Sequence, residues 1–154
     1  TATETNVELL KGYSVKKVIT NCPHCMNTLR NEYPAFGGDF EVVHGTELVA
    51  KLIAEGKLKM EQTVDVDLTY HDPCYLSRIN GQVEAPRAIL DAIPGVKLTE
   101  MEKHGEATMC CGAGGGRFWL EEHLGKRVNH ERFEQALDDY DLSNSLALLR
   151  TPKP

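Results

Sequence analysis

Residues 16–25 read KKVITNCPHC, an apolar run that leads directly into a Cys-x-x-Cys pair interrupted by a proline. The run predicts a buried strand at 16–20, and Pro23 suits the first position of the helix that follows. Residues 64–74 read VDVDLTYHDPC and repeat the order of strand, proline-cysteine loop and helix. The repeat indicates two pseudo-repeated units, with a boundary near residues 60–64.

Strand and helix patterns alternate along the rest of the chain. The predicted helices are 6–12, 26–33, 46–55, 85–93, 117–124 and 126–140, and the predicted strands are 16–20, 41–44, 64–70 and 96–99. Such alternation is typical of parallel strands joined by helical crossovers. We therefore predict an α/β fold, in which a parallel sheet built from Rossmann-like βαβ units carries helices on both faces.

The composition excludes several classes of protein. The chain has 154 residues, of which 41% are hydrophobic and 26% charged, as in soluble globular proteins. No apolar run approaches the roughly 20 residues of a membrane span, and the N-terminal residues lack the pattern of a signal peptide. The net charge of −6 argues against a nucleic-acid partner, which would select for a basic face.

The five cysteines are the most informative residues. They are Cys22, Cys25, Cys74, Cys110 and Cys111. An odd number, with one Cys-x-x-Cys and one adjacent pair, is not typical of a secreted disulfide framework. This usage predicts a cytoplasmic protein, whose thiols stay reduced or bind metal.

Each cysteine group follows a predicted strand or opens a predicted helix. In a parallel α/β fold such junctions lie at one edge of the sheet, beyond the carboxyl ends of the strands. We therefore expect the five sulfurs to converge, as thiolates that helix N-termini stabilise. The glycines that follow Cys111, at 112 and 114–116, let backbone N–H groups approach a cluster closely.

Other interpretations of these residues stay open. The CPHC motif at 22–25 resembles a thiol–disulfide redox motif, although this explains neither Cys74 nor the adjacent pair. Three cysteines with one histidine, such as His71, would satisfy a tetrahedral zinc. His24 and His71 adjoin cysteines and can ligate or tune them, but capping and surface roles are more common for such histidines.

Four longer strings carry a family resemblance. They are ITNCPHCMNTLRNEYP at 19–34, EVVHGTELVAKLI at 41–53, HDPCYLSRINGQVEAPRAIL at 71–90 and MCCGAGGGRFW at 109–119. Together they resemble the CCG cysteine-rich domain. This domain is shared by the B-type subunit of heterodisulfide reductase and by iron–sulfur subunits of glycerol-3-phosphate, lactate and glycolate oxidising enzymes. The resemblance covers about residues 5–137.

The family motif is Cys…Cys-Cys-Gly…Cys-x-x-Cys. The resemblance implies that its five cysteines bind an unusual, noncubane [4Fe–4S] cluster, or zinc in some domains. Cys22 and Cys25 match the closing pair of a first domain. Cys74, Cys110 and Cys111 match the opening residues of a second.

The resemblance also implies a division of the chain. Residues 1–60 would be the C-terminal part of a first cysteine-rich unit. Residues 61–154 would be the N-terminal part of a second unit that lacks its closing Cys-x-x-Cys, because no cysteine follows Cys111. The first unit's own opening cysteines would lie upstream of Thr1.

The implied function is electron transfer. The resemblance predicts an iron–sulfur module of a heterodisulfide-reductase-like oxidoreductase, passing electrons between a flavin or ferredoxin partner and a disulfide or quinone-linked acceptor. The expected partners are the remainder of the same polypeptide or redox subunits, a flavoprotein or a ferredoxin-like protein, through which a cytoplasmic chain can reach a membrane. A structural zinc domain and a metal-free assembly fragment are the alternatives.

Overall fold

The structure is a computed structural model that describes residues 1–121 and 123–139. The chain packs as two units. The first comprises Thr1–Lys59 with Tyr75–Ile89, and the second comprises Met60–Cys74 with the described residues from Leu90 onward. The sequence predicts a different kind of division, into residues 1–60 and 61–154, which is based on cysteine motifs and not on packing. That division stays a prediction.

The described elements alternate between helix and strand. The α-helices are α1 (Ala2–Gly12), α2 (Pro23–Asn27), α3 (Gly45–Ala54), α4 (Glu84–Asp91) and α5 (Val128–Asp139). The strands are β1 (Lys17–Thr20), β2 (Glu41–His44), β3 (Val66–Leu68) and β4 (Val96–Leu98). Short π-helical turns cover Thr28–Glu32 and Tyr75–Ile79, and 3-10 turns cover Tyr33–Phe36, Gly105–Ala107 and Gly114–Trp119.

In the first unit β1 and β2 pair in parallel, with Val18 opposite Val42. The apolar core beside this pair consists of Met26, Val42 and Leu76, and Met26 is fully buried. Burying a side chain of this size contributes about 1.5–3 kcal/mol. Met26 lies one residue after the Cys-x-x-Cys pair, so the core anchors α2 and the turn in front of it.

His44 joins the end of β2 to the cysteine turn. Its backbone N–H donates to the Glu47 carboxylate at 2.7 Å, and its ring nitrogen Nδ1 accepts from the Thr46 N–H at 3.3 Å, so His44 caps α3. The other ring nitrogen lies 3.1 Å from the Asn21 carbonyl oxygen. The residue before Cys22 is thereby fixed to the neighbouring strand.

In the second unit β3 and β4 pair in parallel, with Val66 opposite Val96 and Leu68 opposite Leu98. Gly95 leads into β4 with φ +86, and a Cβ there would stand 2.9 Å from the Val64 carbonyl oxygen. Only glycine combines that left-handed backbone with so close an approach. The turn therefore sets the register of the pair.

The coarser fold prediction is confirmed, since the chain mixes helices with short parallel strand pairs. Within residues 1–121 and 123–139 the strands form two sheets of two strands each. The finer prediction, Rossmann-like repeats in a sheet with helices on both faces, stays a prediction. None of the described helices is long and apolar enough to cross a membrane.

Several helix boundaries differ from those predicted, for example α1, which begins at Ala2 rather than at residue 6, and two differences are larger. In place of the helix expected at 26–33, α2 runs from Pro23 to Asn27 and is followed by the π-helical turn Thr28–Glu32. The 3-10 turn Tyr33–Phe36 comes next and holds Pro34 in its first turn, where the missing proline N–H is harmless. In place of the helix expected at 117–124 there is a 3-10 turn over Gly114–Trp119, and Gly115 and Gly116 adopt left-handed φ values directly before residue 117. Residue 122 lies outside the described residues. Tyr140, predicted to end the last helix, lies outside the described residues.

Candidate metal centre

The first unit holds Cys22 and Cys25 together on one turn. Cys22 follows β1 with extended backbone and is the N-cap of α2, and Pro23 opens the helix as predicted. The Cys25 backbone N–H donates to the Cys22 sulfur at 3.5 Å. This is the hydrogen bond that an N-cap side chain ordinarily accepts, so helix capping itself holds the sulfur at the end of the strand.

The two thiols differ in acidity because of their mutual contact. The backbone N–H of Cys25, and then its thiol, donate to Cys22 and lower the pKa of the Cys22 thiol. The pKa of the Cys25 thiol is raised, because Cys25 is the donor in their side-chain hydrogen bond and is partly desolvated. Cys22 is therefore the sulfur that carries negative charge more readily.

Neighbouring side chains of the first unit support this turn. The His24 ring stacks on Tyr75 with ring centroids 3.9 Å apart. The Asn80 side-chain amide donates to the Pro23 carbonyl at 3.2 Å and to the Tyr75 carbonyl at 2.6 Å. His24 thus has an aromatic partner, and a cavity of about 290 Å³ that it lines together with Cys25 opens beside the turn.

Two buried hydrogen bonds of Asp72, to Gly105 and to Thr108, join the segments that precede Cys74 and Cys110; we call this pair of bonds the lock. Asp72 is 1% exposed, and its carboxylate accepts from the Gly105 N–H at 2.7 Å. The Thr108 hydroxyl, which is fully buried, donates to the Asp72 carbonyl at 3.1 Å. Asp72 and Thr108 each stand two residues before a cysteine, so the lock brings the two cysteine-bearing loops side by side.

The adjacent cysteines are followed by a backbone that only glycine can adopt. The Gly112 N–H donates to the Cys110 sulfur at 3.3 Å, and Gly112 has φ +77. A Cβ at Gly112 would stand 2.8 Å from the Asn129 nitrogen at the start of α5. The expectation that a glycine aims an N–H at a cysteine sulfur is met here.

His71 is held neutral by its surroundings. Its Nδ1 accepts from the Arg132 guanidinium Nε at 2.9 Å. Burial, and then the Arg132 charge, lower the pKa of His71, against a smaller opposite effect of Asp72. Because arginine only donates, the proton of the neutral ring resides on Nε2.

Arg132 is itself 5% exposed and also donates to the Lys103 carbonyl at 3.0 Å and to the Gln135 side chain. Together with His71 and Cys111 it lines a cavity of about 250 Å³. No local pattern in the sequence pointed to this arginine. Its partner His71 lies 61 residues away along the chain.

The chemical type of the candidate ligands suits a soft metal, because all five cysteines are free thiols and two of the sulfurs accept backbone N–H groups. Across residues 1–121 and 123–139, no three His, Cys, Asp or Glu side chains form a group ready to hold a metal ion. The structure therefore brings Cys22 to Cys25 and the loop of Cys74 to that of Cys110. The convergence of all five sulfurs stays a prediction.

Comparison with known proteins identifies a family for this chain. The family model of the cysteine-rich (CCG) domain matches residues 1–30 and 68–143. The two matched segments contain all five cysteines. No solved structure matches the chain.

Three curated relatives are similar over most of the chain. The probable iron-sulfur-binding oxidoreductase FadF of Bacillus subtilis is 49% identical over 134 residues, covering 87% of this chain and 19% of the relative. EtfAB:quinone oxidoreductase of Syntrophomonas wolfei is 49% identical over 139 residues, covering 86% and 19%. One subunit of the dihydromethanophenazine:CoB–CoM heterodisulfide reductase of Methanosarcina mazei is 46% identical over 114 residues, covering 72% and 28%. The chain thus spans between 19% and 28% of the length of these relatives.

Proposed function

The chain belongs to the cysteine-rich (CCG) domain family, and on that premise we propose that it is an iron–sulfur electron-transfer module of an oxidoreductase. The observation that carries the proposal is the buried lock between Asp72 and Thr108, because it pairs the loops of Cys74 and Cys110. The similar proteins, which are named as oxidoreductases and as a heterodisulfide reductase subunit, support it.

Cys74, Cys110 and Cys111 would hold a cluster in the second unit, and Cys22 with Cys25 would close a site in the first. We propose the noncubane [4Fe–4S] type for both. A bound cluster supplies one-electron transfer at a potential set by its ligands, hydrogen bonds and exposure. The Gly112 N–H stabilises negative charge on the Cys110 sulfur, and so favours the reduced state.

Binding would be coupled to closure of the cysteine loops, since no ligand group is preformed among the described residues. The lock limits how far two of these loops can separate in the metal-free protein. Each half of the chain, 1–60 and 61–154, would contribute part of a cysteine-rich unit. We propose that the two parallel strand pairs are the repeated Rossmann-like cores of these units.

The proposed partners are a flavoprotein or ferredoxin-like donor and a disulfide or quinone-linked acceptor, on the remainder of the same polypeptide or on separate subunits. Two relatives support the acceptor classes by name. One is an EtfAB:quinone oxidoreductase and the other a CoB–CoM heterodisulfide reductase subunit.

A structural zinc site is the second candidate. His71 could ligate only after giving up its Arg132 hydrogen bond, because Nδ1 holds the one lone pair of the neutral ring and Nε2 carries the proton. Cys74, Cys110 and Cys111 would complete a tetrahedral set with His71.

Anaerobic reconstitution with iron and sulfide tests the proposal. We expect bound iron, labile sulfide and a broad visible absorbance, and we expect Cys74→Ser to lose most of the iron of the second unit. The double variant Cys22→Ser, Cys25→Ser is the matched control and should keep that iron. A colourless protein without iron would refute the cluster, and one zinc without iron would favour the second candidate.

A further inference from the structure

The CPHC turn has a feature that cluster binding does not require. The Cys22 sulfur accepts the backbone N–H of Cys25 at 3.5 Å, so the two cysteines are joined within one turn. Both side chains are accessible, Cys25 being exposed and Cys22 half-buried. Two accessible thiols on one turn, one of them accepting the backbone N–H of the other cysteine, are arranged for disulfide formation.

We propose that Cys22 and Cys25 form a reversible dithiol–disulfide couple that exchanges with low-molecular-weight disulfides of the glutathione type. Cys22 is the attacking sulfur, because it is the N-cap that accepts the Cys25 N–H, and Cys25 is the resolving thiol. The couple belongs to the metal-free chain and does not depend on the proposed cluster.

The exchange balances without any further reactant. The Cys22 thiolate attacks one sulfur of the small disulfide, breaks its S–S bond and releases one small thiolate. Cys25 then loses its proton to water and attacks the Cys22 sulfur. This forms the Cys22–Cys25 bond and releases the second small thiolate. The two protein thiols lose two electrons, and the small disulfide gains them.

The surroundings of the turn suit this exchange. Asn80 fixes the Pro23 carbonyl and Tyr75 stacks on His24, so the turn between the two sulfurs is held in one conformation. The cavity of about 290 Å³ beside Cys25 gives a small disulfide access to the turn.

The adjacent pair Cys110–Cys111 provides the internal contrast. Neighbouring Cα atoms are about 3.8 Å apart, shorter than the Cα separation of about 4.4–6.8 Å that disulfides prefer. A disulfide between neighbours is therefore strained, whereas Cys22 and Cys25 lie three residues apart and escape this constraint. Oxidation should select the first pair although both pairs are accessible.

Mass mapping of the whole chain tests the proposal. The metal-free protein is equilibrated anaerobically with oxidised glutathione, alkylated in acid-quenched samples and cleaved with trypsin. Cleavage after Lys17 and Arg30 leaves Cys22 and Cys25 on one peptide, whereas the adjacent pair lies on a peptide that ends at Arg117. We expect the peptide that contains Cys22 and Cys25 to lose two hydrogen atoms and to become resistant to alkylation. This should happen earlier than any oxidation of the peptide that contains Cys110 and Cys111.

Single variants identify the attacking sulfur. In Cys25→Ser the exchange should stop at a glutathione adduct on Cys22, and this adduct should form at least about tenfold faster than one on Cys25 in Cys22→Ser. The double variant Cys110→Ser, Cys111→Ser is the control and should oxidise like the natural chain.

An alkylatable Cys22–Cys25 peptide at equilibrium, earlier oxidation of the adjacent pair, or faster adduct formation on Cys25 would each overturn the proposal. Iron content is measured separately on reconstituted protein. Failure of the cluster therefore leaves this result standing, and failure of the couple leaves the cluster proposal untouched.

Discussion

The protonation state of His71 is linked to the stability of the folded second unit. Its Nδ1 accepts from a guanidinium that is itself almost fully buried, so the folded state favours the neutral ring. The unfolded chain has no such restriction and takes up the proton at the ordinary pKa of about 6.5. Folding at lower pH therefore requires the ring to release a proton, which lowers stability.

We expect the metal-free protein to lose stability as the pH falls below about 6.5, and to be unaffected by this residue above it. The sign follows from the lowered pKa of His71, since the unfolded state then binds more protons within that window. Urea unfolding at about pH 7.5 and about pH 5.5, on either side of that value, measures the effect. His71→Gln keeps a hydrogen-bond acceptor for Arg132 without titrating, and should show a smaller loss; an identical loss in both proteins would exclude His71 as its source.

Thr108 carries a second effect at this scale. Thr108→Val keeps the shape of a fully buried side chain but removes the hydroxyl that donates to Asp72. We expect a loss of about 1–3 kcal/mol, because the Asp72 carbonyl loses a buried donor. Chemical denaturation measures it, with Thr108→Ser as the matched variant that should recover most of the stability. Equal stability of the valine and serine variants would contradict the lock.

At the scale of elements, sequence periodicity was most informative where structure is local. The strand at Glu41–His44 has the predicted bounds, and Cys22, Pro23 and Cys25 occupy the predicted places at the start of a helix. Both follow from neighbouring residues alone.

Sequence periodicity did not predict the structure where it depends on glycine backbone conformation or on residues far away along the chain. The described residues of the range 117–124, predicted as a helix, form only the end of a 3-10 turn, and the glycines at 115 and 116 adopt left-handed φ values directly before them. The partners of Asp72 lie 33 and 36 residues away, and that of Arg132 lies 61 residues away. No local pattern indicates contacts over such separations.

The glycine loop permits a matched comparison between two of its residues. Gly112 and Gly115 both have left-handed φ, but only at Gly112 would a Cβ meet a neighbour, the Asn129 nitrogen at 2.8 Å. Gly115→Ala should cost about 1–2 kcal/mol for the backbone alone. Gly112→Ala should cost more and displace the start of α5, as thermal unfolding and amide exchange of α5 would show. Equal losses would mean that the close approach does not constrain the loop.

At the scale of the whole molecule, two cysteine-bearing units stand in one chain of a cysteine-rich family. The first unit holds its two cysteines on one helical turn, where the Cys25 N–H donates to the Cys22 sulfur. The second joins the loops of its three cysteines through buried hydrogen bonds. Secondary structure and capping thus place the cysteines, and on the proposed function closure of a ligand shell would follow metal binding.

Residue-resolved alkylation of the iron-loaded chain tests whether cysteines distant in sequence share one metal centre. Cys74 lies on the tryptic peptide that ends at Arg78, and Cys110 with Cys111 on the one that ends at Arg117, so their reactivities are read separately. We predict that all three become protected together when iron and sulfide bind, and are released together when a chelator removes the iron. Alkylation of Cys74 at the same rate in iron-loaded and metal-free protein would contradict a shared centre.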